Sequence, residues 1–343
     1  MQMSAVSPQF RDGLLQFALA CILATFALPA AAEVTYLLHD LGTFGGRYAA
    51  AKDVNSHGVI VGDYYPAGPF DTYAFYWDGE FHDLGPGSAS AINDAGVIVG
   101  TSGGQAVSWN GGIRLTHGAG EAMDINNNGD IIGHDGDNPW LLPTGGSRVQ
   151  LSGLGGANTA ALGLNDNGLV VGYGDLPAYP RTTHAIVWVN GQPMDLGTFG
   201  GTYSYCSGVN NKGVVVGMAA ASDPEHLYDI YHIFLWDGEL HDLGLGSPSS
   251  INDNGVIAGR DGPFPFGAWA YDGVAFSALP ALGVNTVPRS LNASGVIVGY
   301  STTPEGEQHA VYWTPVPEPS TAAAMGALIA AMAVSQSRRR RIR

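Results

Sequence analysis

The sequence predicts an all-β fold, a seven-bladed β-propeller of four-stranded blades, with an N-terminal signal peptide and a C-terminal single membrane helix. Three observations predict the propeller. The composition is rich in Gly and poor in charge, one motif occurs seven times, and an N-terminal segment supplies the strand that the last repeat lacks. An open β-solenoid is the alternative, and it is disfavoured because it would need distinct capping repeats.

The composition indicates a folded and turn-rich protein. The 343 residues include 50 Gly and 20 Pro, 45% are hydrophobic and 13% are charged. Low charge with many hydrophobic residues argues against disorder, and so many glycines indicate frequent turns. The predicted body, residues 33–315, holds 28 acidic and 8 basic residues. A body this acidic disfavours nucleic acid as a partner and attracts divalent cations.

Residues 1–32 are typical of a secretory signal peptide. A positively charged start precedes the apolar stretch Leu14–Leu28, and an A-x-A cleavage site ends at Ala32. This segment predicts export through the Sec translocon. A lipoprotein signal at Cys21 is the alternative, and it would leave an apolar stretch in the mature chain. After cleavage at Ala32 a single cysteine remains, Cys206, which we expect to be a small buried residue without a disulfide.

One nine-residue motif, [IVL]-N-x-x-G-x-[IV]-[IVA]-G, defines the repeat of the body. Its seven copies start 33 to 45 residues apart. They are Val54–Gly62, Ile92–Gly100, Ile125–Gly133, Leu164–Gly172, Val209–Gly217, Ile251–Gly259 and Leu291–Gly299. Asn-x-x-Gly is typical of a turn. The apolar run that follows it favours a strand buried on both faces.

Each motif is followed by a short apolar strand that, in most copies, ends in an aromatic residue. These strands are Tyr73–Trp77, Gln105–Trp109, the degenerate Asn138–Leu142, His184–Trp188, His232–Trp236, Gly267–Tyr271 and His309–Trp313. An Asp-Gly or Asn-Gly pair follows five of them and predicts a type I′ turn, with positive φ at both central residues. A strand ending in Asp-Leu-Gly then closes several units. A unit is therefore two hairpins, and four strands in about 40 residues match a propeller blade.

The start of the body supplies the strand that the seventh unit lacks. That unit stops at Trp313 without an Asp-Leu-Gly strand, whereas Tyr36–Gly42 contains one ahead of the first unit. Pairing the two segments would join the first and last blades and leave no open sheet edge. The sequence thus predicts that the N-terminal strand closes the ring.

The C-terminus has three parts in order: a Pro-Glu-Pro motif, an Ala-rich apolar stretch and an Arg cluster. The motif is Val316, Pro317, Glu318, Pro319 and Ser320, and the cluster is Arg338, Arg339, Arg340 and Arg341. The uncharged run Pro319–Ser337 has 19 residues, close to the roughly 20 that span a bilayer. The Arg cluster would then stay in the cytoplasm. A plain C-terminal anchor is the alternative.

Residues 316–343 resemble the PEP-CTERM sorting signal of Gram-negative bacteria, because all three parts occur in the same order. The resemblance implies that an exosortase recognises the tail and cuts near the Pro-Glu-Pro motif. The inner membrane would then be a transient anchor, and the body would reach the cell surface or the exterior.

The repeats carry a second resemblance. The segment Asp195–Gly201, the motif core and the strand His184–Trp188 recur along the body, and Asp40–Gly46 repeats the first of these in full. Together they resemble the HAF extracellular repeats over nearly all of 33–315. The resemblance implies an extracellular setting and brings no catalytic residues with it.

One repeat turn has the spacing of a calcium-binding loop. Asp124, Asn126, Asn128, Asp130 and, at the twelfth position, Asp135 fit the pattern. Oxygen ligands at alternating positions around a Gly turn are what Ca²⁺ requires. The other copies mostly lack the twelfth carboxylate, so turn formation is the alternative explanation. No other cofactor is predicted.

Histidines and tryptophans also recur at fixed repeat positions. They are His39, His82 and His241 before Asp-Leu-Gly, His184, His232 and His309 at the start of the aromatic strand, and Trp77, Trp109, Trp188, Trp236 and Trp313 at its end. For the histidines, periodic packing is favoured over metal binding. For the tryptophans, a core position between blades is favoured over stacking on sugars.

No H-E-x-x-H, G-x-S-x-G, P-loop or paired-Cys metal motif occurs in the sequence. We therefore predict a non-enzymatic secreted protein of the surface or extracellular matrix. Resemblance to PEP-CTERM proteins implies association with exopolysaccharide or biofilm. Two alternatives stay open. One is a glycan-acting hydrolase or lyase that gathers single residues from several blades, and the other is a calcium-dependent carbohydrate-binding module.

Overall fold

A computed structural model describes residues 34–66, 71–177, 182–222, 230–260 and 267–316. This part of the chain contains 28 β-strands and no helix, which confirms the all-β prediction. No helix in these ranges is long and apolar enough to cross a membrane. The predicted signal peptide, residues Pro317–Ser320 of the sorting motif, the predicted membrane helix and the Arg cluster lie outside the described residues.

The strands follow one another along the chain. In the first half they are β1 (Thr35–Gly42), β2 (Tyr48–Val54), β3 (Ile60–Tyr65), β4 (Tyr73–Trp77), β5 (Phe81–Pro86), β6 (Ser88–Ile92), β7 (Ile98–Ser102), β8 (Gln105–Asn110), β9 (Ile113–Ala119), β10 (Glu121–Ile125), β11 (Ile131–Asp135), β12 (Asn138–Leu142) and β13 (Val149–Gln150). In the second half they are β14 (Thr159–Leu164), β15 (Val170–Asp175), β16 (Thr183–Val189), β17 (Gln192–Asp195), β18 (Gly200–Val209), β19 (Val215–Ala221), β20 (Ile230–Trp236), β21 (Leu240–Leu245), β22 (Ser247–Ile251), β23 (Ile257–Arg260), β24 (Ala268–Tyr271), β25 (Phe276–Ala278), β26 (Val284–Leu291), β27 (Ile297–Thr302) and β28 (Gln308–Val316).

Antiparallel pairing between consecutive strands builds the sheets. Strands β6–β9, β10–β13 and β22–β25 each form a four-stranded sheet in chain order. Strands β14–β21 form one eight-stranded sheet, and β26–β28 with β1–β5 form another. In each larger sheet one parallel residue pair joins the two halves, Thr183 with Tyr203 and Tyr48 with Gln308.

The N-terminal strand completes the last repeat, as the sequence predicts. Strand β1 pairs antiparallel with β28 over its length, with Thr35 opposite Val316 and Leu38 opposite Trp313. Strand β28 ends at Val316, one residue beyond the predicted end of the body. The first residue of the predicted sorting motif therefore belongs to the closing strand pair.

A positive φ at one position and a close approach at the other explain the two glycines of the repeat motif. The turn glycine has positive φ in every copy, for example 78° at Gly168, a conformation that other residues adopt only at a cost. The last glycine lies in the second strand of the repeat. A Cβ at Gly172 would collide with the carbonyl oxygen of Ala160 on the neighbouring strand. Both positions therefore require Gly for steric reasons.

The hydrophobic core lies between neighbouring repeats. Trp109 shares a buried cluster with Val61 of the preceding repeat, and Trp313 shares one with Ala258 of its preceding repeat. Trp188 is also buried, while Trp77 and Trp236 are partly buried against such clusters. The prediction that the repeated tryptophans form the core between repeats is confirmed.

The predicted type I′ turns form at only some of the five sites. Asn190 and Gly191 both have positive φ, 52° and 76°, as this turn requires. At the second site the two residues with positive φ are Gly111 and Gly112, one position later than the predicted pair of Asn110 and Gly111. At Asp78, Asp237 and Asp272 the prediction is wrong, because none of these described residues has positive φ. The Asp272 side chain instead closes its turn by accepting the N–H groups of residues 274 and 275.

Candidate functional site

The seven motif asparagines form a closed ring of hydrogen bonds. Each donates from Nδ2 to the backbone carbonyl oxygen of the next motif Asn, over 2.9–3.2 Å. The members are Asn55, Asn93, Asn126, Asn165, Asn210, Asn252 and Asn292, and the last donates to the first. In most copies Oδ1 accepts N–H groups of its own turn, as at Asn252. Only an amide side chain donates and accepts in this way, which explains the Asn of the motif.

The residues after the ring asparagines line a shallow depression of about 210 Å³, to which all seven repeats contribute. They are Ser56, Asp94, Asn127, Asp166, Asn211, Asp253 and Ala293. The N–H of each of the first five donates to a side-chain oxygen of the next, over 2.7–2.9 Å. The carboxylates at this end of the molecule therefore already serve the contacts between repeats.

Two partly buried carboxylates tie repeats together, and each lies two positions before a ring asparagine. Asp53 Oδ2 accepts the N–H of Ile92, and Asp124 Oδ2 accepts the N–H of Leu164, both at 2.8 Å. Ser290 Oγ donates to the other oxygen of Asp53 at 2.6 Å. Burial raises the pKa of both carboxyl groups, and with the added charge of Asp53 it raises that of Asp124 to about 8.

The residues of the predicted calcium loop serve separate partners. Asp124 bonds to the next repeat as above, Asp130 accepts the Asn126 amide at 3.0 Å, and Asn128 donates to the next repeat. Asp135 lies at the end of β11. Among the described residues no group of three His, Cys, Asp or Glu is arranged to hold a metal ion. The loop carboxylates thus do not converge, and we propose no calcium site there.

A central cavity is lined by the residues three positions before the ring asparagines. They are Lys52, Ser90, Met123, Leu162, Ser207, Ser249 and Arg289, and we name them the channel mouth. All of them except Ser207 and Ser249 also line a larger cavity of about 720 Å³, together with Asp63, Ser88 and Glu121 among others. This volume is within the roughly 300–1,000 Å³ of small-molecule sites.

The channel mouth has a cationic side and an apolar side. Lys52 and Arg289 come from the first and last repeats, which are neighbours in the closed ring. Met123 and Leu162 come from the third and fourth repeats and so lie across the ring. Lys52 Nζ bonds to Asp63 at 2.6 Å and to Ser88 at 2.7 Å.

The Arg289 guanidinium is differently placed. It lies over the ring of Tyr300, 5.5 Å from the centroid. The side chain is exposed, and within the described residues it forms no ion pair or hydrogen bond. One cation of the channel mouth is thus already neutralised, and the other faces solvent uncompensated.

The recurring histidines form pairs with residues of the neighbouring strand or its turn rather than meeting at one point. His184, His232 and His309 place Nδ1 2.8–2.9 Å from Asp195, Asp242 and Asp40, His82 and His241 bond to Asp78 and Asp237, and His39 bonds to Thr314. Each of these partners lies on the adjoining strand or its turn. The histidines therefore link neighbouring strands, which agrees with periodic packing.

The sequence did not single out the channel mouth. Its members occupy one repeat position, three residues before the motif Asn, where the seven copies carry Lys, Ser, Met, Leu, Ser, Ser and Arg. A motif is defined by the residues that its copies share, so it does not include a position that varies from repeat to repeat. The variation in charge and polarity at this position of an otherwise regular repeat is the feature of the sequence that could have indicated the site.

Comparisons with known proteins show the fold alone. The chain resembles an acylaminoacyl peptidase from Pyrococcus horikoshii with a TM-score of 0.57 and 12% identity, over 81% of this chain and 53% of that one. It thus spans about half the length of the peptidase. An α-L-arabinanase from Penicillium chrysogenum gives a TM-score of 0.41 at 10% identity, over 84% of this chain and 99% of the other.

A six-bladed β-propeller lectin from Aleuria aurantia gives a TM-score of 0.37 at 10% identity, over 81% of this chain and 97% of the lectin. No protein family and no curated protein matches the sequence. From its own strands and the closed ring of its repeats, the chain is an all-β protein with a β-propeller-like fold.

Proposed function

We propose that the chain is a seven-bladed β-propeller of four-stranded blades that binds an extracellular glycan without converting it. The ring of seven asparagines supports the number of blades, since each repeat contributes one member. The pairing of β1 with β28 supports four strands in the last blade. A scaffold closed in this way holds its central cavity in a fixed shape.

One observation carries the assignment of binding rather than catalysis. Asp53 and Asp124, which line the cavity at the channel mouth, accept backbone N–H groups of the next repeat. Of the carboxylates in the larger cavity, Asp63 pairs with Lys52 and Glu121 lies 3.9 Å from His134. A general acid or nucleophile needs an oxygen free to reach the substrate. Asp53 and Asp124 instead act as links between repeats. The remaining cavity residues supply charge, hydroxyl groups and apolar surface, which suit recognition.

We further propose that the protein is exported and sorted as its two ends suggest. The Sec translocon would pass the body across the inner membrane of a Gram-negative cell, and the tail would hold it there transiently. An exosortase-like enzyme would then cut near Pro317–Ser320 and release the body to the cell surface. There the body would associate with exopolysaccharide or biofilm.

The intact mass of the protein recovered from its native cells tests export and sorting. We expect a chain that starts at Glu33 and ends within the sorting motif. Replacing Pro317, Glu318 and Pro319 by Ala should leave the tail attached. Replacing Pro304 and Glu305 by Ala is the matched control in the body, and in that variant the tail should still be removed. A wild-type chain that still ends at Arg343 would establish a standing anchor instead.

Binding and turnover are separated by incubating the purified protein with exopolysaccharide from the same cells. We expect the protein to co-sediment with the polymer while the polymer keeps its size in chromatography. Shortening of the polymer would establish the hydrolase or lyase alternative. Loss of co-sedimentation in a chelator would establish the calcium-dependent module.

A further inference from the structure

We infer that the channel mouth binds a carboxylate-bearing sugar, a uronic acid unit of an extracellular polysaccharide, and that Arg289 holds its carboxylate. The inference rests on the proposed glycan binding and names the site and the chemical class of the ligand. It is drawn from the distribution of charge, the shape of the cavity and the opposed surfaces of the channel mouth.

The charge distribution is the first argument. The body has 28 acidic and 8 basic residues, and Lys52 and Arg289 border one cavity together with the carboxylates of Asp63 and Glu121. Asp63 neutralises Lys52 at 2.6 Å, whereas Arg289 is exposed and has no ion-pair partner among the described residues. Glu121, the other carboxylate of this cavity, lies 3.9 Å from His134 and forms no ion pair with Arg289. Arg289 is therefore available for a carboxylate brought by a ligand.

The chemistry of the guanidinium group gives the second argument. A planar guanidinium donates two parallel N–H bonds to a carboxylate, which fixes the orientation of the ligand as well as its charge. Tyr300 lies under Arg289 and limits the directions in which the group can point. The guanidinium is thus positioned before a ligand arrives, which lowers the entropy lost on binding.

The opposite wall supplies the third argument. Met123 and Leu162 are partly exposed to the cavity and lie across the ring from Arg289 and Lys52. A sugar ring has an apolar C–H face and a polar edge of hydroxyl groups. A uronic acid adds a carboxylate at that edge. Such a unit can place its apolar face against Met123 and its carboxylate against Arg289, while the hydroxyl of Ser90 lies between the two sides.

Calorimetric titration of the purified exported protein tests this inference. The probes are trisaccharides of galacturonic, mannuronic and guluronic acid, each paired with its fully methyl-esterified form. The ester keeps the sugar and removes the charge. We expect at least one acid to bind, and its ester to bind at least about tenfold more weakly, because a charged hydrogen bond is lost.

Two variants of Arg289 and a control variant at Lys212 locate the site. Arg289→Gln should weaken binding of the acid at least about tenfold and leave binding of the ester unchanged, while Arg289→Lys should fall between. Lys212→Gln removes another exposed cation, in the turn beside the ring residue Asn210, and should leave both affinities unchanged. Arg289 is exposed, so equal melting temperatures should show that the variants fold alike.

The failures of the two proposals are distinguishable. Three outcomes would overturn the inference about the channel mouth. The acid and its ester bind with equal affinity, Arg289→Gln and Lys212→Gln have equal effects, or the protein binds neutral glycans and none of the acids. Glycan binding would survive in each of these cases. Binding of no glycan at all, acidic, esterified or native, would overturn the proposed function as well.

Discussion

The side-chain Nδ2 of Asn292 donates to the backbone carbonyl oxygen of Asn55, 237 residues earlier in the chain, over 2.9 Å. This bond joins the last repeat to the first and is the same bond that joins every other pair of consecutive repeats. Because the donor and acceptor are both buried, neither has water as a substitute if the bond is lost. The ring therefore links the stability of each repeat to that of its two neighbours.

Asn292→Asp should destabilise the protein in a way that depends on pH. Asp keeps the oxygen that accepts the N–H groups of residues 294 and 296 but, when ionised, turns an oxygen towards the Asn55 carbonyl. We expect a loss of about 1–3 kcal/mol in the free energy of unfolding at pH 8. Part of it should return at pH 4, where a protonated acid donates again.

Asn167→Asp is the matched control for that change. Asn167 also donates to a carbonyl oxygen of the next repeat, at 2.7 Å, but it is exposed and water replaces the lost partner. Its unfolding free energy should change by less than about 0.5 kcal/mol. Urea unfolding of both variants makes the comparison, and equal losses would mean that the buried ring has no special importance.

Strand β1 should be needed for the stability of the whole body. Leu38 is partly buried against the cluster of Trp313, while its neighbour Leu37 is 55% exposed. We expect Leu38→Asp to cost about 2–5 kcal/mol, because it replaces apolar contacts by a carboxylate facing the core. Leu37→Asp should change the unfolding free energy by less than about 0.5 kcal/mol.

Deletion of residues 33–42 extends this test. Removing the strand exposes the edge of β28 and uncovers the cluster of Trp313, so the melting temperature of the whole body should fall sharply. Thermal unfolding followed by circular dichroism measures it. If the shortened chain has the same melting temperature as the full chain, or if the two Leu substitutions have equal effects, β1 does not close the ring.

The repetitive part of the fold could be predicted from the sequence because turn and strand chemistry recur in each copy. Strands β4 and β12 begin and end at the predicted residues, and β1 pairs where the missing strand was expected. The turns were harder. The Asn-Gly pair at Asn190 forms a type I′ turn, whereas the Asp272 side chain of an Asp-Gly pair closes a different turn by itself.

The candidate site was the least predictable part. Asp124 belongs to a segment with the spacing of a calcium loop, yet Asp53 occupies the same repeat position and makes the same bond to the next repeat. Comparing those two residues by repeat position would have indicated a structural link. Arg289 belongs to no motif, and its neighbours at the channel mouth come from repeats far apart in the chain. Only ring closure brings them together.

Cys206 should be inert in the native protein. It is fully buried, and burial raises the pKa of its thiol to about 12, so almost no thiolate exists at pH 8. In a Cys21→Ser chain, where Cys206 is the remaining thiol, a disulfide reagent should react only after unfolding in urea. Adding Lys212→Cys, at an exposed position, should create a fast-reacting thiol. Comparable rates at the two sites in the native protein would contradict the burial of Cys206.

Asp124 should make the folded state less stable as the pH rises from about 5 to 8. Its pKa in the folded protein is raised to about 8 by burial and by the charge of Asp53, whereas in the unfolded chain it lies near the ordinary value of about 4. Between these values the folded state holds a proton that the unfolded state has released. The stabilisation is therefore complete below pH 4 and is lost as the pH approaches 8.

Asp124→Asn removes this titrating group, so the variant should lose less stability than the wild type between pH 5 and 8. Part of the slope should remain, since burial raises the pKa of Asp53 in the same direction. Asp135→Asn changes an exposed carboxylate of the same predicted loop and should keep the wild-type slope. Urea unfolding at several pH values gives these slopes. A slope in Asp124→Asn equal to that of the wild type would mean that Asp124 is ionised in the folded protein and that its bonds to Ile125 and Leu164 outweigh its burial.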